Sequence, residues 1–200
     1  MISSVVRNPE IFDGKLRDVP TFIINFRLPW GIFIVYHEIP QRFLPFLRKR
    51  YEKKTSTPSK KKMSPAERSL CRFLMGDDKQ RNQLLKMVPV IVSAPASIQS
   101  LIGNKPTIIG KQISTHYVYG PPDEKDGKCE YLELDLDVVS SPSARKILSV
   151  CKSYTKSLVI DLGFVIQGNA SDELPEQMLT GIRLHGIDPI NAPAYNLRNN

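Results

Sequence analysis

Apolar and polar residues alternate in several short segments of this chain. Residues 21–28 and 32–38 alternate on either side of Pro29-Trp30-Gly31, which predicts two strands joined by a tight turn. Residues 131–139 alternate most clearly, with leucines on one side of the predicted strand and Glu133, Asp135 and Asp137 on the other. We therefore expect one face of this strand in the core and the other in solvent. Similar patterns predict strands at 86–92, 113–119 and 178–185.

Two helices are predicted from the signals at their ends. Ser64-Pro65-Ala66-Glu67 combines an N-cap hydroxyl, a proline at the first helical position and a glutamate placed for a capping box, and Gly76 suits the end of this helix. Ser141 or Ser143 is expected to begin another helix. Residues 158–166 fit either a strand or a continuation of that helix. We interpret the chain as a single α+β domain over residues 1–200, with a mostly antiparallel curved sheet packed against helices.

The positive charge of the chain is concentrated in one segment. Of a formal net charge of +8, +7 lies between residues 48 and 62, where eight basic residues accompany Glu52 alone. These residues are Arg48, Lys49, Arg50, Lys53, Lys54, Lys60, Lys61 and Lys62. The centre of the segment is small, polar and interrupted by Pro58, so it buries too little apolar surface to offset the entropy of ordering. We expect a flexible basic loop at about residues 48–63 and a loose tail at about 189–200.

Clustered lysine and arginine residues attract phosphate groups, whether on anionic lipids or on nucleic acids. Nucleic-acid binding usually adds several aromatic residues for stacking, and here Tyr51 is the one aromatic residue within the run. The run is preceded by Phe43, Phe46 and Leu47, which suit a lipid interface. Trp30, at the predicted turn, suits an interfacial anchor. We therefore predict that the partner is an anionic membrane surface, with the basic loop on the headgroups, and we expect no nucleic acid.

The basic loop also has other interpretations. It suits a solvated surface loop or a nuclear localisation signal, and phosphorylation of Ser56, Thr57 or Ser59 would reverse its charge locally. The alternative function is therefore a regulatory scaffold that binds protein partners. The oligomeric state stays open.

The sequence contains no recognised motif for catalysis or metal binding. His37, His116 and His185 are far apart, and neither a His-Glu-x-x-His helix nor a Gly-x-Ser-x-Gly elbow is present. The three cysteines fit neither a disulfide framework nor a zinc motif, which indicates a reducing setting. The N-terminal residues do not resemble a secretory signal. We predict a noncatalytic protein without metal or cofactor, located in the cytoplasm and peripherally at membranes.

Several segments in series resemble one known family. Asp77-Asp78 and Arg81-Asn82 precede the strand-like run 86–92, and Tyr131-Leu132-Glu133-Leu134-Asp135-Leu136-Asp137 follows later. Asp161-Leu162-Gly163-Phe164-Val165-Ile166-Gln167-Gly168 and then Arg183 complete the series. These pieces resemble, in order, the C-terminal domain family of the plant Enhanced Disease Resistance Two protein. If Asp161 is buried it needs a cationic partner, and Arg183 is the candidate.

The resemblance implies a lipid-associated, noncatalytic module. Members of this family often carry the domain behind a pleckstrin-homology domain and a steroidogenic-acute-regulatory-related lipid-transfer domain, and they are linked to membranes and to the control of plant cell death. We therefore expect a role in defence regulation and a lipid ligand such as a phosphoinositide. We also expect an apolar cleft between sheet and helices that accepts part of an acyl chain or a sterol.

Overall fold

The computed structural model describes residues 16–52, 59, 62–99 and 105–192. The strands in these residues are β1 Thr21–Leu28, β2 Gly31–Glu38, β3 Leu85–Ser93, β4 Thr107–Ile108, β5 Ser114–Gly120, β6 Tyr131–Asp137, β7 Val159–Ile166 and β8 Met178–His185. The helices in these residues are α1 Leu44–Tyr51, α2 Pro65–Met75, α3 Asp78–Asn82, α4 Ala96–Gln99 and α5 Pro142–Cys151. Short 3-10 helices include Ile109–Lys111, Val138–Ser140 and Lys152–Ser157. The predicted α+β class is confirmed.

The strands of the described residues divide into two four-stranded sheets that face each other. The first sheet has the order β2-β1-β6-β5, and the second has the order β4-β3-β7-β8. Strands β1 and β6 are parallel, and the other neighbouring pairs are antiparallel. Two sheets form because β1 and β7 each present an apolar face, and each face is buried against the other sheet.

Segment 158–166, for which the sequence allowed a strand or a helix, is a strand. Its apolar residues alternate, with Phe164 and Ile166 buried in the core. Asp161 points to the other face, where its carboxylate accepts two hydrogen bonds from Arg183 at 2.7 and 2.8 Å. The expected pairing of these two residues is therefore confirmed, and it lies between adjacent strands β7 and β8.

Side-chain caps begin α2 and α3, the two helices that directly follow the basic segment. In α2, Ser64 accepts a hydrogen bond from the amide of Glu67 at 3.3 Å, and the Glu67 carboxylate accepts one from the amide of Ser64 at 2.8 Å. Asp77 and Gln80 form the same reciprocal arrangement at the start of α3. The predicted capping box is confirmed, and it fixes the point where the chain enters the helical layer.

Residues 44–51 form helix α1, whereas the sequence predicted that a flexible loop begins at about residue 48. Phe43, Phe46 and Leu47 have helical spacing and are buried in the core, where α1 packs against α2. The prediction that these three residues contact a membrane is wrong, because burial in the core leaves them no free surface. Among the helices in the described part of the chain, none combines the length and apolarity of a membrane span.

The carboxylate side of β6 is not uniformly exposed, contrary to the prediction from its alternation. Glu133 is only 1% exposed, and Ile23 and Asn25 on the neighbouring strand β1 are equally buried. Burial and, to a smaller extent, the nearby charge of Asp135 raise the pKa of Glu133 to about 7. The first sheet therefore has buried residues on both of its faces.

Arg81 holds the helical layer together from the inside. Its side chain is fully buried, and it donates hydrogen bonds to the carbonyls of Phe73 and Leu74 at 3.1 and 2.7 Å. It also donates to the hydroxyl of Tyr51 at 2.8 Å and lies over the ring of Tyr117. The guanidinium thus joins α1, the end of α2, α3 and β5 by satisfying polar groups that water does not reach.

Replacement of Arg81 by methionine is expected to lower the free energy of unfolding by at least about 3 kcal/mol, because each buried acceptor that loses its donor costs about 1–3 kcal/mol. Arg81→Lys keeps the charge but loses the planar fork, so an intermediate loss is expected. Urea unfolding measures both. A free energy for Arg81→Met within about 0.5 kcal/mol of the wild type would contradict this role.

The pH dependence of stability tests the burial of Glu133. Because the folded state binds the Glu133 proton more tightly than the unfolded state, stability falls as the pH rises from the ordinary pKa of 4.5 to about 7. Glu133→Gln removes the free-energy cost of ionising this buried carboxyl group. The variant is therefore expected to gain stability relative to the wild type between about pH 5 and pH 8. The control is Glu124→Gln, which changes an exposed side chain. The difference in its free energy of unfolding from that of the wild type should stay constant over the same pH range. An equally flat difference for Glu133→Gln would refute the burial.

Candidate functional site

A cavity of about 1030 Å³ lies between the inner faces of the two sheets. Its walls come from the ends of the strands near the β1–β2 turn, and residues 142–157 close one side. These residues comprise α5 and the 3-10 helix after it, and we call them the cavity helix. Apolar side chains from both sheets line the cavity, including Phe26, Leu28, Phe33, Leu136, Met87, Pro89, Ile160, Leu162 and Leu184.

The cavity exists because the two sheets are filled with side chains at one end only. Phe26 of β1 and Phe164 of β7 approach to 6.3 Å between ring centroids. On one side of this contact, Phe22 and Ile166 are buried in the core together with α2. On the other side, many apolar residues of the same inner faces are only half-buried and line the cavity, among them Leu28, Phe33, Met87, Ile160, Leu162 and Leu184.

The cavity helix presents an apolar stripe to this space. Ser141 caps its start by accepting a hydrogen bond from the amide of Ala144 at 3.4 Å. The residues that face the cavity recur at helical spacing and are Ala144, Ile147, Leu148, Cys151 and Thr155. The closest neighbours of α5 are the 3-10 helices on either side of it in sequence. The helix therefore covers the cavity without packing tightly on either sheet.

Polar groups are sparse around the cavity. Among the described residues that line it, Lys105 alone is charged, and its side chain is exposed. Uncharged polar side chains include Ser141 and Ser143, whose hydroxyl oxygens are 3.1 Å apart. Burial raises the pKa of the Cys151 thiol, which keeps this sulfur protonated and a poor nucleophile. The lining suits an apolar ligand with a small polar end.

Trp30, which the sequence analysis assigned to a membrane interface, lies at the edge of the cavity. Its ring is half-buried at the tip of the β1–β2 turn and forms part of the lining. The neighbouring Ile32 is 48% exposed, and Ile190 on the chain segment that follows β8 is 78% exposed. Pro189 and Ala192 on that segment also line the cavity, and residues 193–200 of the predicted tail lie outside the described residues.

The predicted headgroup residues lie away from the cavity. Arg48 in α1 donates to the buried carboxylate of Glu130, with 3.0 Å from Nε to Oε2. Glu130 precedes β6, whereas Leu136 near the end of that strand lines the cavity, so the two features are separated by about 20 Å along the strand. Lys49 and Arg50 also lie in α1, and Lys62 is exposed before α2. The remaining predicted headgroup residues, Lys53, Lys54, Lys60 and Lys61, lie outside the described residues.

The residues that carry the family resemblance serve mainly to hold the fold. Asp77 caps α3, and Asp78 lies 3.8 Å from the buried guanidinium of Arg81. The Asn82 side-chain oxygen accepts a hydrogen bond from Thr115 on β5. A Cβ at Gly110 would lie 2.4 Å from the Cβ of Asn82, so only glycine permits this close approach. These contacts fasten α3 to the edge of the first sheet.

A second cavity of about 590 Å³ lies between β2, α2 and β8 and is more polar. His37 shares a 3.0 Å hydrogen bond with Thr180 there, and burial lowers the pKa of this histidine. The charged groups in its lining include Arg42 and Glu67, which pair at 2.7 Å. Within the described residues, no cluster of histidine, cysteine or acidic side chains is arranged to hold a metal ion.

Comparison with known proteins identifies the family of the chain. The model of the family described as Protein ENHANCED DISEASE RESISTANCE 2, C-terminal, matches residues 2–188. A protein of Arabidopsis thaliana described as Protein ENHANCED DISEASE RESISTANCE 2-like is 32% identical over 126 residues, which make up 63% of this chain and 16% of that protein. No solved structure matches the chain. Since the family model spans nearly all of its length, the chain belongs to the family of the C-terminal domain of Protein ENHANCED DISEASE RESISTANCE 2.

Proposed function

We propose that this domain is a noncatalytic module that binds a lipid in the cavity between its two sheets. The cavity carries the proposal, because about 1030 Å³ of space is walled by apolar side chains from both sheets and the cavity helix. Ligand sites in proteins usually enclose about 300–1,000 Å³, so this space is large enough for an acyl chain or a sterol.

The energetics of burial favour such an occupant. Apolar residues in a protein core normally pack as tightly as organic crystals, and those around this cavity lack contacts on one side. Each methylene group that leaves water for an apolar site contributes about 0.8 kcal/mol, so a chain of ten or more such groups binds with useful affinity after the cost of ordering. The uncharged hydroxyls of Ser141 and Ser143 suit a small polar group at one end.

A regulatory role is supported by the family and by the chemistry of the lining. The family is a regulatory one and is not a known family of enzymes. The lining offers no pair of acidic residues and no histidine among the described residues, and the Cys151 thiol is held protonated. We therefore propose that lipid occupancy of the cavity is the property through which the domain takes part in defence regulation.

The single tryptophan gives a direct test of this function. Trp30 lies at the cavity edge, so its fluorescence should transfer to cis-parinaric acid, a fluorescent fatty acid, or to dehydroergosterol, a fluorescent sterol, when either probe enters. Ile160→Phe and Ala144→Phe place added ring volume in the cavity from opposite walls and narrow it, so they are expected to weaken binding at least tenfold, about 1.4 kcal/mol. The same substitutions should preserve or raise Tm, because they fill empty space.

Val90→Phe is the matched control, since Val90 lies on the outer side of the same sheet and is 38% exposed. It adds the same aromatic ring and should leave probe binding unchanged. Transfer from Trp30 that is lost equally in both variants, or that is absent for both probes in the wild type, would exclude lipid binding in the cavity.

A further inference from the structure

The cavity helix carries several basic residues, and no acidic residue nearby in the sequence balances their charge. Residues 138–160 contain four basic residues and no acidic residue. Lys156 pairs with Asp188 at 2.7 Å. Arg145, Lys146 and Lys152 are exposed, and no carboxylate of the described residues forms a salt bridge with them. Three cations therefore face solvent beside the cavity.

The geometry of the cavity helix separates these charges from its apolar stripe. Ala144, Leu148 and Cys151 face the cavity, whereas Arg145 and Lys152 do not belong to its lining. These two basic residues are seven positions apart, which places them on one flank of the helix. The helix is thus amphipathic, with an apolar side on the cavity and a basic side on the surface.

Exposed apolar residues extend this surface around the cavity edge. Besides Ile32 and the half-buried Trp30 at the β1–β2 turn, the exposed Ile187 and Ile190 lie on the segment that follows β8. On the cavity helix, Val150 and Tyr154 are also exposed large apolar residues. Asp188 lies between Ile187 and Ile190 but is paired with Lys156. Basic side chains next to exposed apolar and aromatic ones form the combination that matches the headgroup boundary of an anionic bilayer.

We infer that the basic side of the cavity helix and the surrounding apolar edge dock on an anionic bilayer, so that the cavity opens toward the membrane. This inference deepens the proposed function, because a lipid-binding cavity gains direct access to its ligand. It differs from the prediction made from sequence, in which residues 48–62 hold the membrane, since Arg48 at the start of that segment lies at the far end of the first sheet. The phosphates of a nucleic acid would also attract the lysines, but they provide no apolar environment in which the exposed isoleucines could be buried.

Charge reversal tests the docking surface. Wild-type protein should bind vesicles of phosphatidylcholine that contain about one-third phosphatidylserine, and should bind pure phosphatidylcholine vesicles weakly. Arg145→Glu with Lys152→Glu is expected to weaken binding to the anionic vesicles roughly thirtyfold. The matched control, Arg50→Glu with Lys62→Glu, makes the same change of charge at two exposed residues that do not line the cavity, and it should bind within about threefold of the wild type. Circular dichroism verifies that each variant is folded, and Arg145→Gln with Lys152→Gln provides a milder pair.

The outcomes separate this inference from the proposed function. Arg145 and Lys152 do not line the cavity, so their charge reversal should leave uptake of cis-parinaric acid unchanged. Normal uptake together with vesicle binding that does not depend on Arg145 and Lys152, or that is lost in the Arg50 and Lys62 variant instead, overturns the docking surface and leaves the cavity function intact. Wild-type protein that binds duplex DNA but not the vesicles overturns it as well. If the wild type does not take up cis-parinaric acid but its vesicle binding depends on Arg145 and Lys152, the docking surface is supported and the cavity function is refuted.

Discussion

The contact between Phe26 and Phe164 is where the packing of the two sheets changes. With 6.3 Å between their ring centroids, these side chains tie β1 to β7 across the interior. On one side the inner faces are packed solidly with leucine, isoleucine and phenylalanine, and on the other the same faces surround about 1030 Å³ of space. Side chains in a protein core normally pack closely and leave few voids. A cavity of this size therefore persists only where the surrounding elements are held in place by contacts made elsewhere.

The filled end supplies those contacts. Arg81 gathers α1, α2, α3 and β5 by hydrogen bonds to groups that water does not reach, and the reciprocal caps fix the starts of α2 and α3. Helix α5, in contrast, makes its closest contacts with the 3-10 helices on either side of it in sequence, and Ala144 and Leu148 are its residues that pack partly buried against the core. Rigidity is therefore concentrated at one end of the sheets, and the elements around the cavity have fewer buried contacts, as ligand-binding regions commonly do.

Local signals in the sequence were sufficient for most of the secondary structure. Alternation located most of the strands, and the capping residues Ser64 and Ser141 located α2 and α5, because these patterns depend on neighbours within a few residues. The sequence does not predict helix α1, because the dense basic run after Leu47 favours a flexible loop and obscures the helical spacing of Phe43, Phe46 and Leu47. The burial of Glu133 was missed because period-two alternation identifies a second face of a strand but not what covers it.

The cavity was anticipated only in general terms, since its walls combine residues from seven strands and the cavity helix that are distant in sequence. The cavity helix did carry a detectable signal: the apolar stripe from Ala144 to Thr155, in a stretch without acidic residues. Its positive charge is less dense along the sequence than that of residues 48–62. A count of charges along the chain also does not show which of them are already paired in the fold, as Arg48 is with Glu130.

The most direct measurement is a crystal structure of the domain purified without delipidation from plant cells. We predict elongated electron density between the two sheets, in contact with Phe33 and Leu162 and covered by the stripe of the cavity helix. Sheets that close onto each other beyond Phe26 and Phe164, with the space filled by side chains of the protein itself, would contradict the account.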